Sequence, residues 1–221
     1  MILVGAGRGT AVREELVAKS MRAKKRFRDS LEMNHEKWHD GIGYDLSALD
    51  EMTEQDKDDV VDILSNSFMS EPWRTFEALE YINTPKALSI IDKNLRHPSL
   101  DVRIAASRFA KGAEKEREQI LIEALEKSEF YEGLTQALDQ IESFHPQRVI
   151  EALLRGLLTR GDSAAVNFAG MLLYLYGKAE SSFDWNRRPL FLRFATGNLD
   201  ERRKAFVELC GIIGIDPKGY Y

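Results

Sequence analysis

A single cysteine, Cys210, stands among 221 residues, so no internal disulfide can form. That suits a reducing compartment, and a cytoplasmic location is expected. Long hydrophobic runs are missing as well. No stretch approaches the roughly 20 apolar residues that a membrane-spanning helix needs, so no membrane association is expected. Met1-Ile2-Leu3-Val4 gives way to glycine after four residues, too short for the apolar region of a secretory signal. Prolines number six and histidines four, and no run of alternating β-branched residues suggests a strand. What remains is ordinary for a folded domain: 43% hydrophobic and 30% charged residues, well away from the composition of disordered chains.

The net charge of −5 hides a strong asymmetry. Residues 1–28 carry eight basic residues against Glu14 and Glu15, a balance of +6. Residues 29–62 carry twelve acids against Lys37 and Lys57, a balance of −10. Two readings follow. The segments neutralise each other inside the fold, or the acidic belt faces a basic partner.

Helical patterning runs nearly throughout. A basic amphipathic helix is expected from about Ala11 to Met33, a short helix over residues 44–52, and another over 54–66 with Thr53 as its cap. Pro72, Pro85 and Pro146 stand near first turns, and Gly161 and Gly177 close helices. An internal repeat organises the middle of the chain. Ile90-Ile91-Asp92, Leu121-Ile122-Glu123 and Val149-Ile150-Glu151 repeat an apolar–Ile–acid triplet, while Ala78, Ala106, Ala137 and Ala169 are read as recurring in step in the helices before them. A period near 30 with two helices per unit means stacked helical hairpins. The expected core comprises Leu79, Ile82, Leu88, Ile91, Leu95, Ala106, Phe109, Leu121, Leu125, Leu138, Ile141, Leu153, Leu157, Phe168, Leu172 and Phe206.

Asp101-Val102-Arg103-Ile104-Ala105-Ala106 resembles the first helix of a HEAT repeat. The resemblance implies an all-α, right-handed α-α superhelix of about four helical hairpins with capping helices. Basic and acidic capping helices occupy 1–71, repeats 72–177 and C-terminal capping helices 178–221, in one continuous domain. It also implies an aspartate–arginine ladder between adjacent repeats. Residues 37–46, 72–88, 183–194 and 205–214 are similar to small HEAT-like bacterial proteins that accompany secreted polymorphic toxins, where they act as cytoplasmic immunity proteins.

Other motifs are weighed against that reading. His35-Glu36-Lys37-Trp38-His39 matches the H-E-x-x-H pattern of zinc peptidases, but Lys37 and Trp38 fill it, Asp40 follows it, and Gly41 and Gly43 break any helix at once. Gly5-Ala6-Gly7-Arg8-Gly9 lacks the βαβ unit of a dinucleotide site and reads as a lead-in. Trp38, Trp73 and Trp185 with Asp101 and Arg103 suit a HEAT-like DNA glycosylase, yet Asp92, Glu123 and Glu151 would repel phosphates. Trp185 before Arg187, Arg188 and Pro189 reads as a cap on the last repeat, with part of a binding surface as the alternative. Cys210, in an apolar helix, reads as a small buried hydrophobe.

The sequence therefore leads to a non-catalytic protein-binding module, with no catalytic residue, cofactor or metal. The resemblance makes it an immunity protein that occludes a basic toxin domain, a nuclease being the natural choice. A generic HEAT scaffold or adaptor and the glycosylase are the alternatives. Asp58, Asp59, Asp62, Asp92, Glu123 and Glu151 are the expected partner-binding acids, and direct nucleic-acid contact is not expected.

Overall fold

The computed structural model describes residues 6–32, 37, 39–66, 71–160, 163–182 and 184–220. These are helical with short connections, and no strand occurs among them. The chain divides into two compact units, Met1–His97 and Pro98–Tyr221. The division falls inside the segment expected to run continuously from 72 to 177.

In the first unit, α1 (Ala6–Leu31) is followed by a 3-10 segment (Leu46–Glu51), α2 (Glu54–Leu64), α3 (Pro72–Ile82) and α4 (Pro85–Asn94). The expected glycine lead-in is already helix from Ala6, because the good helix formers behind Gly7 and Gly9 propagate the helix back through them. Thr53 Oγ1 accepts from the Asp56 N–H, and Thr84 Oγ1 from the Ala87 N–H, each at 3.3 Å. Pro72 and Pro85 occupy first turns, where a missing N–H leaves no bond unmade. Asn83, at φ 55°, stops α3 in the left-handed conformation that asparagine tolerates. Inside, Phe27 of α1 meets Tyr44 edge to face at 6.0 Å and is fully buried with Leu49, Val60, Phe76 and Leu79.

The second unit holds α5 (Leu100–Phe109), α6 (Glu114–Lys127), α7 (Leu134–Ser143), α8 (Gln147–Thr159), α9 (Ser163–Leu175), the short α10 (Arg188–Leu192) and α11 (Leu199–Ile213). α5 packs on α7 and α7 on α9, while α6 packs on α8 and α8 on α11. α5 also lies against α6, α6 against α7, and α8 packs closely on α9. Gly156 makes that last approach possible, since a Cβ there would stand 2.6 Å from the Phe168 ring. Arg160, just past α8, donates to the carbonyls of Leu125 (3.1 Å) and Ser128 (3.0 Å) at the end of α6. Arg202 of α11 donates in turn to the Arg160 carbonyl.

Ala78, Ala106, Ala137 and Ala169 are all fully buried. Of the expected core, Leu88, Leu95 and Phe109 are only half-buried. Leu95 caps α4 and Phe109 ends α5, so both sit where the helix leaves the interior. Leu88 yields the inward position to its small neighbour Ala87.

Candidate protein-interaction surface

The acidic belt lies against the basic helix. Lys24 Nζ reaches Asp56 at 3.0 Å and also pairs with Asp59. Arg26 bridges Asp45 (2.7 Å) and Glu51 (2.9 Å), and Lys19 joins Glu51 at 3.4 Å. The Ser20 hydroxyl, buried at the same seam, donates to Asp56 and accepts from the Thr53 N–H at 2.8 Å. Hydrogen bonds donated to Asp59 and Asp56 hold the Lys24 ammonium above its ordinary pKa. Lys24 in turn lowers Asp59, while Ser20, ahead of Lys24, lowers Asp56. Mutual neutralisation, the first of the two readings of the charge asymmetry, thus accounts for much of the belt.

The expected partner-binding acids have different surroundings. Asp59 is held by Lys24, and Asp62 pairs with Lys86 at 2.8 Å. Asp58 is half-buried; its carbonyl accepts from Lys86 at 3.3 Å, and its carboxylate makes no ion pair among the described residues. Asp92 is exposed on α4. Glu123 is clamped by both Arg103 terminal nitrogens, at 2.6 and 3.1 Å, and this holds its pKa down to about 2. Glu151 is half-buried and accepts a 3.4 Å bond from the Gln147 amide. The sequence triplets are out of step in space: the buried residue is the middle one in α4 (Ile91) but the first in α6 (Leu121). The implied ladder takes another form too, because Arg103 pairs inside its own hairpin. Asp101 packs instead against Gly133, where a Cβ would stand 2.8 Å from its carboxylate, and burial raises its pKa.

Of the H-E-x-x-H stretch, His35, Glu36 and Trp38 lie outside the described residues; His39 is exposed, with Nδ1 3.1 Å from Asp40. Trp73 is half-buried in α3, and the side chain of Trp185 is likewise outside the description. Cys210 is fully buried, and burial pushes its thiol up to about 11.

Sequence reasoning missed a small cleft between α7 and α9 in the second unit. It encloses about 150 Å³, with Phe130, Leu138 and Met171 as apolar walls and Asp139, Glu142 and Asn167 as polar groups. Burial first, then the neighbouring Glu142, raises the Asp139 carboxyl above its usual range. Ser182 donates to Glu142 at 2.9 Å. Beside the cleft the Phe130–Glu132 turn leaves Tyr131 85% exposed. The available signal was the i, i+3 acid pair, Asp139 and Glu142, interleaved with buried Leu138 and Ile141. Deeper in the unit, buried Gln140 donates to the Ile104 carbonyl (2.8 Å) and accepts from Arg117 Nε (3.0 Å). The Arg117 guanidinium lies 4.5 Å from the Phe144 ring centre.

No family model, no curated protein and no solved structure matches this chain.

Proposed function

We propose that this chain is a non-catalytic protein-binding module, its hairpins stacked as a right-handed HEAT-like superhelix, and that its partner is a basic protein domain. The earlier resemblance gives the specific form: a cytoplasmic immunity protein that occludes a toxin nuclease. The observation that carries the reading is the α7–α9 cleft with its rim. Two carboxyl groups crowd a pocket with apolar walls, and an exposed tyrosine stands beside it. Such a seat suits the stem and charged head of a lysine or arginine, while tyrosine is a frequent anchor in protein interfaces. Bringing a cation to Asp139 and Glu142 also relieves their mutual repulsion.

The test is co-expression with the C-terminal domain of a large secreted protein encoded beside this chain. Growth is restored and the two proteins co-elute. Asp139→Lys with Glu142→Lys weakens the complex while far-UV circular dichroism stays the same. A soluble, toxic neighbour that neither binds nor is neutralised would overturn the proposal.

A further inference from the structure

Part of α1 stands clear of the core of its unit. Every residue from Val12 to Lys19 is exposed, and the next residue, Ser20, is buried. Val12, Leu16, Val17 and Met21 are 47–64% exposed, four large apolar side chains on one helix. Glu14, Val17, Met21, Lys25 and Arg28 follow i, i+3, i+7, i+11 and i+14, a spacing that sets them along one face of the helix. All five are exposed. Val17, Met21, Lys25 and Arg28 also line a groove of about 920 Å³ that α1 forms with α2, where Ile63 and Leu31 add apolar surface.

The charges along this face are arranged by end. Glu14 and Glu15 stand near its start; Arg22, Lys25 and Arg28 stand in its second half and make no ion pair among the described residues. Laid parallel on a copy of itself, the face would set Glu14 against Glu14 and Arg28 against Arg28, a costly arrangement. Laid antiparallel about Met21, it sets Glu14 beside the other copy's Arg28, brings the two Met21 side chains together and lays Val17 along the aliphatic stem of the other copy's Lys25. The pattern is self-complementary, as a two-fold interface requires.

We propose that two copies of this chain dimerise through α1, antiparallel about Met21. Val17 and Met21 form the centre, and Glu14 of each copy lies opposite the Lys25–Arg28 end of the other. The groove beside α2 seats the incoming helix. The proposal is independent of the basic partner inferred above, because it uses only the first unit and a different surface.

Sedimentation of the full chain across a concentration series tests it. The weight-average mass rises from that of the 25.2 kDa monomer toward twice that value. Val17→Asp with Met21→Asp abolishes the rise and leaves helix content unchanged, since both side chains are exposed. Glu14→Lys alone, or Arg28→Glu alone, raises the dissociation constant about tenfold, two symmetry-related charge contacts being lost together. Combining Glu14→Lys with Arg28→Glu restores the dimer. Fourteen residues span about 21 Å of helix, so this rescue can arise only between chains. A chain that stays monomeric throughout, a dimer untouched by Val17→Asp with Met21→Asp, or a double reversal that fails to rescue overturns the proposal.

Discussion

At the scale of single residues, the Arg103–Glu123 clamp gives the clearest pH signature. A carboxylate whose folded pKa is near 2, against an ordinary 4.5, stabilises the fold above the unfolded value. That contribution is lost as pH falls through the folded pKa, so the window lies between 4.5 and 2. Both side chains keep partial solvent contact, which reduces the effect below a fully buried pair. Arg103→Ala is expected to cost about 1–2 kcal/mol at neutral pH, measured by urea unfolding. The same variant should raise the Glu123 titration midpoint, followed by carboxyl NMR, toward its ordinary value. Cys210 has the opposite character. A fully buried thiol raised to about 11 holds almost no thiolate at neutral pH, so it should react with a disulfide reagent only on unfolding. Stoichiometric labelling of the native protein within minutes would contradict that burial.

At the scale of helices, close approach depends on residues with little or no side chain. Ala106→Trp should destabilise the second unit by about 1–3 kcal/mol or more, because a ring at a fully buried seam forces α5 from its neighbours. Gly170→Ala is a sharper probe. Its Cβ would stand 2.3 Å from the Ser182 carbonyl oxygen, so the backbone after α9 must move, and the melting temperature should fall. Unchanged melting of either variant would mean that the packing differs from this arrangement. These helices were largely legible in the sequence because their signals are local. A threonine three residues before an aspartate and a proline in a first turn each act within a few residues. Rotation about the helix axis was not legible. One residue of slippage between α4 and α6 leaves Asp92 in solvent and places Glu123 against Arg103, although their triplets read alike. The α7–α9 cleft stayed hidden for the same reason: Asp139 becomes distinctive only once Asn167 and Met171 of a helix far along the chain stand beside it.

At the scale of the molecule, much of the charge asymmetry of the first 62 residues is neutralised inside the first unit. Lys24, Arg26 and Lys19 bind α1 to the acidic segment, and the shifts are mutual: the lysine is raised and its aspartates lowered. Asp59 therefore supports the fold above the ordinary aspartate pKa, and that support is lost as pH falls through its depressed value. Lys24 supports it below the ordinary lysine pKa, with loss as pH rises through its elevated value. Reversing the belt as a block would mix this internal role with any external one, so the aspartates must be changed singly. Asp59→Lys places two ammonium groups together and should lower the melting temperature, with the loss shrinking at high salt as the repulsion is screened over a Debye length of about 8 Å or less. Asp58→Lys removes a carboxylate that holds no ion pair among the described residues. It should leave melting almost unchanged and slow association with a basic partner, the kinetic step that long-range attraction governs. Stopped-flow association rates and melting curves on the two variants separate the roles. If Asp58→Lys leaves the association rate unaltered, the belt serves the fold alone, and the attraction must come from the second unit.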